Sequence, residues 1–392
     1  MGLPLRYSLG QLWVRRARTL LTVSVVALVV LATTLFASLV TSLQRTLVST
    51  GSERNLIVMR KGATNDGSSS VSLEAYQAIR FFDGIARNAR DEPLVSPELV
   101  VQPFFVRRDG GRENVLVRGV EEIALEVHDE VRIVEGRMLR RSAGEAIIGS
   151  GVAGRYAGAQ LGADLEFGRR SWRVVGVFES GGSSFESEVW VDARQLADDA
   201  RRPQSYSGFR IRVAPGTDLD ALARRIADDP RHALEASRET EYYAKQSESA
   251  DTLYWLVVGL ALLAGVGAIF GAANTLYASV QSRTVEIGTL RALGFGRGSI
   301  LRAFLIESLA IAGLGFAAGG ALAWALGRAI SAALGGVGFS AATFTTSVVQ
   351  LRVGSYDLAA ALVLALAIGL VGGFFPALRA SRLRPAEALR KA

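Results

Sequence analysis

The sequence predicts an integral membrane α-helical bundle of four transmembrane helices, with a large α+β extracytoplasmic domain inserted between helices 1 and 2. Three observations predict it: four long apolar runs, a stretch of 209 residues between the first two, and positive charge gathered on one side of the runs. The 392 residues are 49% hydrophobic with a mean hydropathy of +0.27, which is high for a soluble globular protein.

Within residues 1–19, Leu5, Leu9, Leu12 and Trp13 recur at helical spacing among Arg6, Arg15, Arg16 and Arg18. This reads as a short amphipathic helix on the cytoplasmic face, with Trp13 at headgroup level. An ordinary positive flank is the plainer alternative. Residues 20–43 follow without a charge, and a hydrocarbon core needs about 20 apolar residues per helix. The run exceeds the roughly 7–15 residues of a signal-peptide core and no small-residue cleavage site follows, so it reads as a retained span. The other spans are 253–280, 303–327, interrupted by Glu307, and 358–378, with Pro376 near its end.

Residues 44–252 form the inserted domain. Its β-branched and aromatic runs 55–59, 99–106, 114–117, 172–178, 189–191 and 209–213 read as strands. Residues 73–82, 151–159, 193–198 and 219–227 read as helices, the last capped by Asp218. The Gly/Ser-rich segments 63–70 and 180–184 read as flexible loops. Residues 235–251 read as a helix running into the second span. With a helical continuation of the first span over 44–54, it would form a pair of stalks. Residues 328–357 read as an external loop between spans three and four.

The formal charge of +7 is distributed by side. Segments 1–19, 281–302 and 379–392 carry net +4, +3 and +4, the outer loop 328–357 carries +1, and residues 44–252 hold 29 basic and 33 acidic side chains. Cytoplasmic flanks hold positive charge, so both termini are placed in the cytoplasm and 44–252 outside it. The basic pI therefore reports topology, and nucleic acid is not an expected partner.

Little in the chain suggests chemistry. There is no cysteine, and His128 and His232 are the two histidines, so no metal site is expected and His128 reads as a surface residue. None of the three lysines, Lys61, Lys245 and Lys391, follows a glycine, so the Gly-Lys-Ser/Thr end of a P-loop is missing. Gly294, Gly296 and Gly298 imitate part of a dinucleotide fingerprint without a preceding strand. The acidic pairs at 91–92, 121–122, 198–199 and 228–229 read as solvated surface. No catalytic residue is assigned.

Three glycine pairs, Gly267/Gly271, Gly315/Gly319 and Gly369/Gly373, each sit four apart in a span. Small residues at that spacing let helix backbones approach, pointing to a tightly packed bundle or dimer. Glu307 is a carboxylate within a span, about a turn from its cytoplasmic end. It reads either as a structural partner of Arg302 or Arg291 or as part of a coupling device. In the loop 281–302, Ile287, Leu290 and Leu293 lie three apart beside Arg283, Glu286 and Arg291, suggesting a short amphipathic helix suited to a partner's groove. A helix resting on lipid is the alternative.

The stretch Arg283, Glu286, Ile287, Gly288, Leu290, Arg291, Ala292, Gly294, then Ile300, Phe304 and Glu307, resembles the core signature of the FtsX/MacB-like ABC transporter permeases. The tail from Pro376 and Ala377 through Ala380, Pro385, Glu387, Ala388, Leu389 and Arg390 is similar to that family's C-terminal end. Residues 55–58, 149–153, 161–162 and 174–177 resemble its periplasmic core domain. The resemblance implies a four-helix permease in a bacterial inner membrane, working as a homodimer with a separate ABC ATPase subunit that binds ATP and Mg. It implies that a coupling helix over 282–293 docks on that ATPase and transmits its closure to the external domain, which is mechanotransmission. Export or extraction of a hydrophobic or membrane-derived substrate is then the expected output. Regulation of an extracytoplasmic cell-wall hydrolase, as by the family's cell-division members, is the second. A periplasmic adaptor or a hydrolase is the matching partner class. A membrane-anchored receptor or enzyme without an ATPase is a third reading, and it leaves the cytoplasmic helix without a purpose.

Overall fold

The computed structural model describes residues 16–334, 337–340 and 346–385. In chain order its helices are α1 (Arg16–Val48), α2 (Leu73–Ile79), α3 (Ala124–Val127), α4 (Ala193–Asp199), α5 (Leu219–Ala227), α6 (Glu239–Ser282), α7 (Thr284–Ala292), α8 (Arg297–Leu334) and α9 (Ser355–Ser381). The first strands are β1 (Asn55–Arg60), β2 (Val71–Ser72), β3 (Val95–Val101), β4 (Phe104–Val106), β5 (Arg112–Asn114), β6 (Val117–Val120), β7 (Arg132–Gly136) and β8 (Glu145–Gly149). They are followed by β9 (Asp164–Phe167), β10 (Arg170–Glu179), β11 (Val189–Asp192), β12 (Ser205–Tyr206), β13 (Gly208–Arg212), β14 (Leu234–Arg238), β15 (Val337–Ser340) and β16 (Thr346–Val349). Two units result, a helical one from residues 16–41, 252–329 and 351–385 and an α+β one from 42–251 and 330–350.

Four helices are long and apolar enough to cross a membrane, over Thr19–Val48, Tyr254–Ser282, Arg297–Ala333 and Ser355–Ser381. The expected spans 20–43, 303–327 and 358–378 fall inside three of them, and 253–280 overlaps the second in all but its first residue. Within the helical unit the glycines sort by neighbour. A Cβ on Gly315 would meet Val26 at 2.6 Å, one on Gly369 would meet Ala312 at 2.6 Å, and one on Gly373 would meet Ser308 at 2.5 Å. Gly319 lies against the backbone of Ala27. These four positions let α8 approach α1, and α9 approach α8, at backbone distance. Gly267 and Gly271 are not packed within the single chain: a Cβ on either would meet nothing within 4 Å. Their face of α6, with Leu263 and Phe270 more than two-thirds exposed, is open in the single chain.

The α+β unit is built on one mixed sheet in the order β14-β1-β13-β3-β6-β11-β8-β10-β7, with β9 added to β10. Its central strands β1, β13, β3, β6, β11 and β8 are buried on both faces, so β1 reads as a continuous apolar run. Strand alternation sends Leu56 and Val58 to a core with α2 and α5, and Ile57 and Met59 to a core containing Trp190, Tyr242 and Tyr243. A third core under β6, β8, β10 and β11 holds Tyr156 and Trp172.

Several expectations change. The run 99–106 is two strands, broken at Gln102 and Pro103, because proline has no N–H for a ladder. Residues 114–117 join β5 to β6. Residues 151–159 form turns, with Gly154 and Gly158 at φ +72° and +77°, in the left-handed region no helix visits. The segment 234–238 is strand β14 and the helix begins at Glu239, while α1 stops at Val48, short of residue 54. The outer loop carries a hairpin, β15–β16, and the Val348 N–H donates to Ser187 Oγ at 2.8 Å. The segment 63–70 holds a turn of 3-10 helix with Asp66 buried. The amphipathic segment around Leu5–Trp13 and the tail residues Glu387–Arg390 lie outside the described residues.

Candidate functional site

Two arrangements stand out, one in each unit. In the helical unit, α7 matches the expected loop helix over 282–293 to within two residues at either end. Gly294, at φ +92°, supplies the left-handed residue that ends it, and the Phe295 N–H reaches back to the Leu290 carbonyl at 3.1 Å. The expected ridge does not survive. Ile287 is buried with Val280, Ile300, Phe304, Ala377 and Ala380, Leu290 is half-buried, and Leu293 is 70% exposed. Each residue turns a helix by about 100°, so positions three apart drift by about 60° per step, and two steps carry Leu293 well away from Ile287. The outward side of α7 is instead Val285, Thr289, Ala292 and Leu293.

Arg283, just before α7, is 5% exposed and reaches two carboxylates. Its Nη1 lies 3.2 Å from Glu307 Oε2, its Nε lies 3.0 Å from Glu286 Oε2, and its guanidinium stands over the Phe304 ring at 5.1 Å. The arginine that pairs with Glu307 is Arg283, a correction to the expectation of Arg302 or Arg291. The contact joins the start of α7 to α8. Arg291 Nη1 instead donates to the Phe295 carbonyl at 3.2 Å, and Gly288 is buried. Sequence reasoning passed over Asp357, which is 2% exposed and accepts from Ser38 Oγ at 3.0 Å, Thr41 Oγ1 at 3.2 Å and the Gly354 N–H at 2.9 Å. It caps α9 and ties it to α1.

In the α+β unit, alternation along β3, β6 and β13 places Glu98, Arg118 and Arg210 on the same sheet face as Trp190 and α6. Glu98 Oε2 accepts from Arg118 Nη1 at 2.6 Å and Arg210 Nη1 at 2.8 Å, and its Oε1 lies 2.7 Å from His128 Nε2. Arg118 also makes a paired contact with Glu188, at 2.7 and 2.6 Å. Asp66 Oδ2 accepts from Arg210 Nη2 at 2.8 Å, and its Oδ1 accepts from the Tyr242 hydroxyl at 2.6 Å. Glu239 Oε1 lies 3.5 Å from Arg210 Nε, and its Oε2 accepts from Asn55 Nδ2 at 3.0 Å and the Ser52 N–H at 3.2 Å. Every one of these ionisable residues is less than a tenth exposed.

His128 is thus a fully buried member of an ionic cluster, a correction to the surface reading. Burial, the largest single influence, would lower its pKa, but the carboxylates of Glu98, Glu130 and Glu239 together raise the imidazole to about 9. Burial would likewise push Glu98 and Asp66 up, and Arg210 and Arg118 hold both below the usual range. For Glu239 burial prevails and its carboxyl is raised. Arg118, Arg210 and protonated His128 so balance Glu98, Asp66 and Glu188.

Because the folded pKa of His128 lies above its unfolded value of 6.5, its contribution to stability is fully present below pH 6.5 and is lost as pH rises through about 9. Glu98, Glu130 and Glu239 are the acids facing it. Thermal unfolding of the detergent-solubilised protein should weaken between pH 6.5 and 9 by on the order of 2–3 kcal/mol relative to a His128→Gln variant. Parallel pH profiles for the two proteins would contradict the assignment.

Two family descriptions match the chain in succession. The description "MacB-like periplasmic core domain" matches residues 19–229, and "FtsX-like permease C-terminal" matches 258–385. A Macrolide export ATP-binding/permease protein MacB 1/2 from Paracoccus denitrificans is 31% identical over 60% of this chain and 35% of its own length. A MacB from Hahella chejuensis with the same export description is 26% identical over 84% of this chain and 50% of its own. The chain therefore spans half or less of the length of these curated relatives. The crystallised periplasmic region of MacB from Actinobacillus actinomycetemcomitans is 12% identical, with a TM-score of 0.38 over 51% of this chain and 94% of that one.

Proposed function

The chain belongs to the FtsX/MacB-like ABC transporter permease family, and from that membership we propose that it is the membrane subunit through which a separate ABC ATPase drives movement of the α+β unit. The observation that carries this reading is α7. Its inner side is fixed to α8 by Ile287 and by the Arg283–Glu307 pair, while its outer side presents Val285 and Leu293, 40% and 70% exposed. An apolar helix face held at the end of a bundle is suited to a partner's groove. ATP and Mg would be bound by that partner.

The positive flanks support cytoplasmic termini and a cytoplasmic α7, with the α+β unit on the other side of the inner membrane. A second copy of the chain is the proposed occupant of the open α6 face around Gly267 and Gly271, since glycines there permit close approach. The relatives are named for macrolide export, so export or extraction of a hydrophobic or membrane-derived substrate is the output favoured here, with a periplasmic adaptor as a further partner. Activation of a cell-wall hydrolase is the second reading, and the match of the inserted domain to the MacB-like core favours the first.

Leu293→Asp should reduce the amount of co-purifying ATPase by at least about tenfold, the effect of roughly 1.4 kcal/mol lost at a docking surface. Thermal unfolding of the permease should change little, because Leu293 is 70% exposed. Undiminished co-purification would overturn the docking assignment.

A further inference from the structure

The ionic cluster in the α+β unit gathers on the first turns of one helix. Glu239, Tyr242 and Tyr243 are the buried residues of the opening of α6, and each faces the cluster. Glu239 approaches Arg210 and binds Asn55 and the backbone of Ser52. Tyr242 both donates to Asp66 Oδ1 at 2.6 Å and accepts from the Asp66 N–H at 3.1 Å. The Tyr243 hydroxyl lies 3.4 Å from Arg210 Nη2, and its ring meets Phe185 edge-on at 6.3 Å. The other side of the cluster is the sheet: Glu98 on β3, Arg118 on β6 and Arg210 on β13, with Glu188 leading into β11.

An apolar core would have held α6 with less cost, since buried ion pairs are often no more stabilising than packed hydrophobic residues. What such a network supplies is a fixed geometry. Arg118, Arg210, Glu98 and Asp66 each have several partners at hydrogen-bond distance, so a sliding or rotating α6 would strand buried charges, whereas apolar contacts tolerate displacement. A second cluster joins the same helix end to β1 and the turn after α3. Asn55 Oδ1 accepts from Arg212 Nε at 2.7 Å, and Arg212 makes a paired contact with Asp129, both at 2.8 Å.

We propose that this cluster is the joint that locks the root of α6 to the sheet, so that Glu239, Tyr242 and Asp66 act as positioning residues that make the α+β unit follow α6 as one body. The inference rests on the permease reading for its purpose, but the joint itself is measurable without ATP.

The test uses the full chain, in lipid, with its ATPase. Because the sequence has no cysteine, spin labels at Lys245→Cys on α6 and Glu166→Cys on β9, both exposed, report the joint directly. The wild-type background should give one narrow distance, identical with and without ATP. Tyr242→Phe, which removes only the hydroxyl, and Asp66→Asn should broaden it and abolish ATP-driven displacement of the α+β unit, while ATP hydrolysis continues. Glu239→Gln serves if Asp66→Asn does not fold. Tyr156→Phe, which removes a hydroxyl bonded to Glu113 at 2.8 Å elsewhere in the unit, should leave the distance narrow. A narrow wild-type-like distance in Tyr242→Phe, equal broadening in Tyr156→Phe, or a wild-type distance that shifts with ATP would each overturn the joint. A narrow wild-type distance that broadens in Tyr242→Phe, with no ATP-driven displacement in either, would uphold the joint and overturn the permease reading.

Discussion

Glu98→Ala is expected to lower the stability of the α+β unit by about 4 kcal/mol, within the roughly 3–5 kcal/mol that removal of one partner from a buried charge pair costs. The reason is the number of groups it strands. Glu98 neutralises Arg118, Arg210 and His128 together, and all three are 1% exposed or less. Without it, two guanidinium groups are left with Asp66, Glu188 and the more distant Glu239, and the imidazole Nε2 loses its partner. For a unit of this size the loss corresponds to a fall of roughly 10 °C in Tm. The exposed pair Arg238–Asp220, at 2.7 Å, is the control. Asp220→Ala should leave the midpoint within a degree or two of the wild type, because solvent screens both charges. Differential scanning of the detergent-solubilised protein reads both variants, and a Glu98→Ala midpoint within a degree or two of the wild type would contradict the account.

Arg283→Leu is the second large effect. Glu307 lies within α8 and is 7% exposed, and Arg283 is its ion-pair partner at 3.2 Å. Removing the arginine breaks this buried pair and takes a contact from Glu286, for an expected loss of about 3 kcal/mol. Adding Glu307→Leu removes the other half of the pair, so the double variant should lose less than the two single variants together. The resulting coupling energy identifies the pair. Arg283→Lys should restore stability only in part, because one ammonium cannot serve two carboxylates and cover Phe304 as the planar guanidinium does. Additive losses in the double variant would show that the pair contributes no coupling.

The four spans were legible because a charge-free run of the necessary length is a local property of the sequence, and bilayer thickness sets that length. The presence of α7 was legible from the spacing of Ile287, Leu290 and Leu293, and its bounds from the family resemblance. Its working face was not. A three-residue repeat looks like a stripe on paper, yet it spirals around a helix, and only the packing of Ile287 on Phe304 and Ala377 shows which side turns inward. Glycine spacing was equally silent on partners, marking a close-approach face for Gly319 and for Gly267 alike although α1 fills only the first.

The ionic cluster was the largest omission. Its residues come from positions 66 to 243 and meet through a sheet whose strand order departs from sequence order. A faint signal existed: Arg210 and Arg212 alternate with Phe209 and Ile211, and Arg118 stands between Leu116 and Val120 in a strand with no polar face. A charge at each alternate position of a strand usually means solvent. Here both faces are covered, so it means buried partners. Asp66 carried no signal at all, lying in a Gly/Ser-rich stretch whose composition reads as loop.

The central claim is that hydrolysis of ATP by a partner on α7 moves the α+β unit. Spin labels at Glu166→Cys in each copy of an otherwise cysteine-free complex, reconstituted in lipid with its ATPase, measure this directly. The account predicts a shift in the label-to-label distance when the ATPase is trapped with nucleotide and vanadate, and its disappearance in Leu293→Asp. A distance that stays the same in every nucleotide state, in a complex that hydrolyses ATP, would contradict it.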